Sequence, residues 1–350
     1  MGTLVPGAVG GVPVKGSCTR VGRYGEAVTD QDPEAVPSVC AVVVAYNRRD
    51  LLGEVLAALR TQTLRPVRVV VVDNASDDDS ADVAASHPEV DLVRLTRNTG
   101  GAGGFAAGLA HALEQDPTWV WLMDDDTVPE PTALAELVRV ASDSRAVVAG
   151  SRVVWTDGTE HPMNTPRENP FASAVQREAA LAVGGLDVRS TSFVSMLART
   201  AAVRRRGLPV ADYFIWNDDF EYSTRLIRGA RGVHVPSSVV VHKTRAPAST
   251  DVDPGERFFH EVRNKLWLFS RSRSLTPREK VVYGGSTLRR WVRTVARSSD
   301  RGLLLRCLAR GLRDGVTTSP RTNARSLAGL GATTTAVERA EAGEAEVRRG

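Results

Sequence analysis

Three consecutive aspartates, Asp124, Asp125 and Asp126, follow the apolar run WVWLM. Carboxylates this close raise one another's pKa, so we expect a positive group beside them. Alternate residues at a strand end point the same way, so Asp124 and Asp126 can bind one cation together. Mg²⁺ and Mn²⁺ prefer carboxylate oxygens and are commonly shared with substrate phosphates. The run therefore predicts a divalent-metal site, with an acidic turn before Pro129 as the alternative.

Four apolar segments predict the framework that carries these acids. Residues 39–46 are a continuous apolar run, typical of a buried parallel strand, and residues 67–72, 91–95 and 119–123 are predicted to be the next three strands. Helical patterns follow each of them, and the segment NTGGAGGF is predicted to be a glycine-rich loop that leads into the third helix. This alternation predicts an α/β fold with a mostly parallel central sheet flanked by helices.

Polar residues follow each predicted strand. Ligands of such sheets bind beyond the carboxyl ends of the strands. The residues expected to gather there are Asn47, Asp73, Asn98 and Asp124–Asp126. This clustering predicts a ligand site at one edge of the sheet.

Composition narrows the class of protein. The 350 residues are 42% hydrophobic and 25% charged, as in ordinary globular domains. Three distant cysteines favour a reducing compartment without a disulfide framework. No window approaches the roughly 20 apolar residues of a spanning helix, and the N-terminus does not resemble a signal peptide. We expect a cytoplasmic protein.

Positive charge is concentrated towards the C-terminus. Between Lys265 and Gly315 there are 13 Lys and Arg against 3 Asp and Glu. Such a block fits a solvated helix face, peripheral contact with an anionic membrane at the inner face of the plasma membrane, or nucleic acid. No nucleic-acid motif accompanies the charge, so nucleic acid is the least favoured partner.

The order of the motifs resembles a family 2 inverting glycosyltransferase of GT-A fold. The matching segments are VVVAYNRRDLL, VVVDNASDDDS, RNTGGAGGFAAGL, WVWLMDDD, YFIWNDDFEYSTRL and SSVVVHKT. The glycine-rich segment and DPGERFFHEVRNKLWLF are most similar to bacterial galactofuranosyltransferases and rhamnosyltransferases. The resemblance implies sugar transfer from a nucleotide-diphosphate donor to a glycan or lipid-linked acceptor in cell-envelope polysaccharide assembly. UDP-galactofuranose is the first expected donor and dTDP-rhamnose the second.

Composition and pattern, together with the extent of the resemblance, predict a division of the chain. Residues 1–37 would be a flexible leader and residues 38–255 the catalytic domain. Within that domain, 38–146 would bind the nucleotide and 147–255 the acceptor. Residues 256–316 would form a basic helical extension, followed by a loose tail at 317–350.

Roles on the donor side follow from the same resemblance. Asp124 and Asp126 would hold Mn²⁺ or Mg²⁺ on the diphosphate, with His242 as a nitrogen ligand and Asp125 near the ribose or sugar. Asp73 would accept a hydrogen bond from the pyrimidine N–H. The other donor contacts would come from Ala45, Tyr46, Asn47, Asn98, Gly100, Gly101 and Gly103, the glycines by letting backbone approach the donor.

On the acceptor side, an inverting transfer needs a base that takes the proton of the acceptor hydroxyl. The resemblance assigns this role to Asp219 and an acceptor contact to Asp218, whose partly apolar setting favours raised pKa values. Glu221 would take part in the base role or in the acceptor contact, or it would only lie at the start of a helix. Arg263 and Asn264 would approach the diphosphate or lie on a basic helix face.

Two other classes of protein compete with this interpretation. Gly101, Gly103 and Ala106 fit the G-x-G-x-x-A pattern of dinucleotide enzymes, although they follow the third predicted strand instead of the first. A non-catalytic nucleotide-sugar-binding or scaffold protein is the second alternative. The retained Asp124, Asp126, Asp219 and His242 argue against it.

Overall fold

The first four predicted strands form one parallel half-sheet. The computed structural model describes Gly2, residues 37–245 and residues 253–347, so the predicted leader lies almost wholly outside the described residues. The strands are β1 (Val39–Ala45), β2 (Arg68–Asp73), β3 (Val90–Arg94) and β4 (Trp119–Asp124). They pair in the order β3-β2-β1-β4, all parallel. All seven residues of β1 are buried, as expected of a central parallel strand.

Helices connect these strands and cover the sheet. They are α1 (Arg49–Arg60), α2 (Ser80–Ala85) and α3 (Gly100–Leu113). Leu52, Val55, Leu56 and Leu59 form the buried face of α1, at the helical spacing seen in the sequence. The carboxyl ends of β1, β2 and β4 therefore open on the same edge of the sheet.

Residues 127–242 continue the same sheet with mixed strand directions. Its elements are β5 (Thr127–Pro129), α4 (Ala133–Asp143), β6 (Val148–Val154), β7 (Arg167–Glu168), α5 (Ala174–Leu181), β8 (Leu186–Ser190), β9 (Met196–Arg199), α6 (Thr200–Arg206), α7 (Asp218–Ile227) and β10 (Gly232–His242). Strand β9 pairs antiparallel with both β4 and β6, and β10 runs parallel to β6. The result is a ten-stranded mixed sheet with helices on its faces.

Five further helices end the described chain: α8 (Phe258–Ser270), α9 (Pro277–Arg297), α10 (Arg301–Thr317), α11 (Asn323–Ser326) and α12 (Ala332–Val347). Helices α8 to α10 share a small apolar core that contains Phe258, Trp291 and Leu304. Among the described helices, none is long and apolar enough to cross a membrane.

The expectation of a loose tail from residue 317 is wrong. Leu327, Leu330 and Val337 are buried in the same core as β1 and α3. The Asn323 side chain accepts a hydrogen bond from the Ala211 backbone N–H at 2.8 Å. The tail is polar on average, but these three apolar residues face inward, and composition alone could not show this.

The glycine-rich segment is also not a loop, because its glycines lie within α3. A Cβ on Gly104 would lie 2.5 Å from Val44 Cγ1, and one on Gly108 would collide with Val42. These glycines let α3 pack closely on β1. Gly101, Gly103 and Ala106, the residues of the G-x-G-x-x-A match, lie inside the same helix.

Candidate active site

Two neighbouring strands bring the aspartates and His242 together. Strand β4 ends at Asp124, and β5 starts at Thr127. The antiparallel register of β5 with β10 places His242 opposite Thr127. The Lys243 backbone N–H also donates to the Asp126 carbonyl at 2.8 Å. A strand from the second half of the domain thus completes a cluster that begins in the first half.

The cluster has the composition and spacing of a cation site. One ligand atom from each of Asp124, Asp126 and His242 lies within 4.8 Å of the others. Asp126 Oδ1 is buried and accepts no hydrogen bond from the described residues. His242 Nε2 lies 3.2 Å from this oxygen, but the two atoms are not aligned as a hydrogen bond. A buried carboxylate oxygen without a partner is costly. Two carboxylates and one imidazole fit Mn²⁺ or Mg²⁺ at this position.

Arg48 supplies the positive charge that the aspartates require. Its guanidinium pairs with Asp126 Oδ2 and lies 3.3 Å from Asp125 Oδ1. Arg48 immediately precedes α1, just beyond the end of β1. Sequence reasoning missed it, although an arginine directly after the β1 strand, next to β4, was a usable signal.

The three carboxylates have different protonation tendencies. Burial, followed by the charges of Asp126 and Asp125, raises the pKa of Asp124 well above its ordinary value. Burial raises the pKa of Asp125 to about 7, which Arg48 only partly offsets. Burial also acts on Asp126, but His242 and Arg48 outweigh it and hold the Asp126 pKa below its ordinary value. Asp126 is thus the most readily charged of the three.

The residues predicted to contact the nucleotide base lie at the ends of β1 and β2. The Tyr46 backbone N–H donates to Asp125 Oδ2 at 2.8 Å, and the Tyr46 residue is 42% exposed. Asn47 is exposed, and its Oδ1 accepts from the Asp77 N–H at 2.7 Å. Asp73 is buried and accepts from the Ser76 N–H at 3.1 Å. Ala45 is completely buried, so its side chain lies in the core instead of lining the pocket.

The start of α3 contributes less to the site than expected. Asn98 is exposed, and its Oδ1 accepts from the Gly100 N–H at 2.8 Å. Gly100 has a φ of +71° and is packed against the Phe214 carbonyl, while a Cβ on Gly103 would lie 2.5 Å from Thr99. A Cβ on Gly101 would lie 3.9 Å from Asp218 Oδ2. Of the three glycines, Gly101 is the one that faces the acidic pair.

A strained turn presents Asp218 and Asp219 at the start of α7. Phe214, Trp216 and Asn217 have φ values of 66°, 67° and 65°, a left-handed conformation that is costly for residues with a side chain. The completely buried Asn264 stabilises this turn. Its Nδ2 donates at 2.9 Å to the carbonyls of Tyr213, Ile215 and Trp216.

Asn264 and Arg263 are therefore committed to the turn and not to a diphosphate. The Arg263 guanidinium donates to the Asp212 carbonyl at 2.9 Å. Glu221 is likewise engaged elsewhere, because it pairs with Arg225 at 3.0 Å and accepts from Ser272 at 2.7 Å. These hydrogen bonds and this ion pair stabilise the turn and the helix that carry the acidic pair.

Both members of the acidic pair have raised pKa values. Burial, followed by the charge of Asp219, raises the pKa of Asp218 to about 8. Burial also raises the pKa of Asp219, against hydrogen bonds from the Phe220 N–H and the Ser192 side chain. The charge of Asp218 contributes to the raised pKa of Asp124.

A polar chain joins the two clusters through residues that sequence reasoning missed. His242 Nδ1 lies 3.0 Å from Asn164 Oδ1, and Asn164 Nδ2 donates to Ser192 Oγ at 3.4 Å. Ser192 in turn hydrogen-bonds Asp219. Asn164 and Ser192 lie far apart in the sequence and match no motif, so only the fold reveals them.

Comparison with known proteins agrees with this architecture. The family model described as glycosyl transferase family 2 matches residues 40–207. The galactofuranosyltransferase GlfT1 of Mycobacterium tuberculosis is 30% identical over 288 residues, which cover 76% of this chain and 92% of that protein. The N-acetylglucosaminyl-diphospho-decaprenol L-rhamnosyltransferase of the same species is 28% identical over 242 residues, covering 61% of this chain and 78% of that protein.

Solved structures show the same fold at low identity. TarS 1–349 of S. aureus superposes with a TM-score of 0.58 at 15% identity, covering 89% of this chain and 92% of that one. The Pyrobaculum calidifontis mannosyltransferase PcManGT, solved with GDP-Man and Mn²⁺, has a TM-score of 0.52 at 19% identity, covering 91% and 90%. The fold is GT-A, and the chain belongs to glycosyltransferase family 2.

Proposed function

We propose that this glycosyltransferase is a metal-dependent, inverting enzyme that takes its sugar from a nucleotide-diphosphate donor. The observation that carries the proposal is the meeting of ligand atoms of Asp124, Asp126 and His242 within 4.8 Å. Nucleotide-sugars also occur in the solved complexes of fold neighbours, such as TarS with UDP-GlcNAc.

UDP-galactofuranose is the first candidate donor and dTDP-rhamnose the second. The support is the similarity to GlfT1, which extends over three-quarters of the chain, and the shorter similarity to a rhamnosyltransferase. Both relatives match well beyond the nucleotide-binding half. We propose that the acceptor is a glycan or a lipid-linked glycan of the cell envelope.

The proposed cation would be held by Asp124, Asp126 and His242, and it would supply positive charge to the departing diphosphate. Arg48 holds Asp126 Oδ2, which leaves Oδ1 available on the other side of the carboxylate. We assign Asp73, Tyr46 and Asn47 to the nucleotide base because they lie at the neighbouring ends of β1 and β2.

On the acceptor side, Asp219 would act as the general base. The acceptor oxygen forms a bond to the anomeric carbon, the bond from that carbon to the diphosphate oxygen breaks, and the hydroxyl proton passes to Asp219. Its raised pKa makes it a stronger base than an ordinary aspartate. Asp218, beside Gly101, would contact the acceptor.

Helices α9 and α10 carry the surface that we propose rests on an anionic membrane. Val281, Leu288 and Val292 on α9 are 62–77% exposed, and Leu305, Leu312 and Val316 on α10 are 40–64% exposed. Each set repeats at i, i+7 and i+11, which places its members on one helix face. Exposed arginines accompany both sets, as in helices that lie in a membrane interface.

A panel of ligands tests the proposed donor. A ligand that binds only the folded protein raises Tm by mass action. We expect UDP-galactofuranose or dTDP-rhamnose to raise Tm with Mn²⁺ or Mg²⁺ and much less with EDTA. A shift with NAD and none with nucleotide-sugars would reject the proposal, and no shift with any ligand would favour a non-catalytic scaffold.

A further inference from the structure

One carboxylate on α8 connects two elements that are far apart in the sequence. Glu261 is buried, with 7% of its surface exposed. Its Oε1 pairs with the Arg290 guanidinium and accepts from Trp291 Nε1 at 3.2 Å, and both of these residues lie on α9. Its Oε2 accepts from Asn217 Nδ2 at 2.7 Å. Glu261 therefore bridges α9 and the residue that immediately precedes the acidic pair of α7.

Asn217 has an unusual backbone conformation at the start of α7. Its φ of 65° is left-handed, and it directly precedes Asp218 and Asp219. Asparagine tolerates this conformation better than most residues because its short side chain can form a hydrogen bond there. Here the partner is a carboxylate on another helix, and hydrogen bonds to a charged group are short and strong. The geometry of the turn thus depends on Glu261.

The inner face of α9 is connected to α7 at a second point. Glu279, in the first turn of α9, pairs with the buried Arg189 of β8. Arg189 Nη1 also donates to the Thr224 carbonyl of α7 at 2.7 Å. Glu279 and Arg290 stand at i and i+11, which places them on one face of α9. Helix α9 is therefore connected both to the start of α7 and to a point further along it.

The opposite face of α9 is the one that we assign to the membrane. Val281, Leu288 and Val292 are exposed there, whereas Thr287 and Trp291 on the inner face are buried. Coupling between distant sites is carried by rigid helices and by hydrogen-bond and ion-pair networks. Helix α9 and the Glu261 carboxylate form such a connection between the outer surface and the acidic pair.

We propose that Glu261 is a positioning residue that links α9 to the acidic pair, and that contact of α9 with a membrane orders the turn that carries Asp218 and Asp219. This inference rests on the proposed function, because it uses both the membrane surface of α9 and the acceptor role of the pair. A membrane that restricts α9 also restricts its ion pairs, so less entropy remains to be lost when the turn is ordered.

Hydrogen–deuterium exchange of the full chain, with and without saturating phosphatidylglycerol vesicles, tests the link. In the wild type we expect vesicles to slow amide exchange at residues 214–221 about fivefold or more, the lower end of typical coupling between two sites. In Arg290→Met, exchange in α9 should still be slowed. At residues 214–221 the slowing should be less than about twofold, because only the weaker Trp291 hydrogen bond still joins α9 to Glu261.

Two further variants of α9 control for charge. Arg289→Met removes one positive charge from an exposed position of the same helix and is the matched control. It should keep the slowing at residues 214–221 once vesicles are saturating. Arg290→Lys should restore part of the slowing, because a lysine can still pair with Glu261. An equal loss in Arg289→Met and Arg290→Met would assign the effect to membrane charge and overturn the inference.

A variant at the other end of the link keeps the test independent of the ion pair. Asn217→Gly retains access to the left-handed conformation but lacks the hydrogen bond to Glu261. It should lose the slowing at residues 214–221 and keep it in α9. Full slowing in both Arg290→Met and Asn217→Gly would overturn the inference. Faster exchange throughout α8, α9 and α10 in both variants would indicate a purely structural role and would also overturn it.

Vesicle flotation separates failure of the inference from failure of the proposed function. If the wild type floats but vesicles do not change exchange at residues 214–221, the membrane surface stands and the inference fails. If the wild type does not float, the membrane surface is wrong and its effect on the turn fails with it. The positioning role of Glu261 is then decided in solution, where Arg290→Met must speed exchange at residues 214–221 and Arg289→Met must not.

Discussion

His242 Nδ1 lies 3.0 Å from Asn164 Oδ1, and this contact fixes which histidine nitrogen faces Asp126. An amide oxygen can only accept a hydrogen bond, so Nδ1 carries a proton, and Nε2 is the ring nitrogen on the side of the acidic cluster. Nε2 lies 3.2 Å from Asp126 Oδ1. Asn164 therefore orients the imidazole as the partner of a metal-binding histidine does.

Replacing Asn164 should weaken metal binding without removing a ligand. We expect Asn164→Ala to lower Mn²⁺ affinity about 10–100-fold, the usual effect of losing such a partner. Calorimetric Mn²⁺ titration in the presence of UDP measures it. Thr165→Ala, an exposed neighbour, is the control. Equal Mn²⁺ affinity in Asn164→Ala and the wild type would remove Asn164 from this role.

Asp219→Asn should stop transfer while donor binding continues. An amide cannot take the hydroxyl proton, so we expect kcat to fall about 10²–10⁴-fold, the contribution of a general base. The Kd for UDP with Mn²⁺ should stay within twofold, because Asp219 faces Ser192 instead of the metal cluster. Transfer at the wild-type rate would exclude Asp219 as the base.

The pKa of Asp218 predicts how stability changes with pH. The folded pKa of about 8 lies above the ordinary value of 3.8, so the folded state binds more protons between these limits. Stability from this group is complete below about pH 4 and falls as pH rises towards 8, by up to about 1.4 kcal/mol per pH unit. Asp218→Asn should therefore raise Tm in EDTA, more at pH 8 than at pH 5. A gain that shrinks with pH would contradict this assignment.

Asn264→Ala should destabilise the protein and disturb the acidic pair together. The substitution leaves buried carbonyls in a strained turn without their donor, at a cost of about 2–4 kcal/mol. Urea unfolding measures that loss, and transfer assays at a temperature where the variant is folded should show reduced kcat. Thr317→Ala, an exposed residue at the end of α10, controls for general effects. Full activity in Asn264→Ala would mean that the turn does not position Asp218 and Asp219.

Much of the fold could be predicted from the sequence because its first half is regular. The predicted strand bounds agree with those of β1 to β4 within about one residue. The alternation of strands and helices predicts that these strands run parallel, as they do. The glycines of α3 were assigned to a loop because glycine is rare inside helices, and the close packing on Val42 and Val44 that requires them is a tertiary property.

The site was predictable where one short segment carries the chemistry. Asp124, Asp126, Asp218 and Asp219 are contiguous acids at element ends, which is a local signal. Arg48, Asn164, Ser192 and Asn264 act through partners far away in the chain. Such contacts depend on strand register and helix packing, which a single sequence does not specify.

The apolar stripes on α9 and α10 predict binding to anionic vesicles. Leu288→Ser combined with Leu312→Ser should reduce flotation with phosphatidylglycerol vesicles at least tenfold, since burying one leucine contributes about 1.5–3 kcal/mol. High salt should reduce it further by screening the arginines. Leu181→Ser, on an exposed leucine of α5, is the matched control. Failure of the wild type to float at low salt would disprove the membrane contact.

The central claim is that Asp124, Asp126 and His242 bind a cation that holds the donor's diphosphate. Calorimetric titration of UDP into the protein, with Mn²⁺ and with EDTA, tests it most directly. We predict binding with Mn²⁺ that is at least tenfold weaker in EDTA, and a similar loss in Asp126→Ala with Mn²⁺ present. Equal UDP affinity with Mn²⁺ and EDTA, unaffected by Asp126→Ala, would contradict the account.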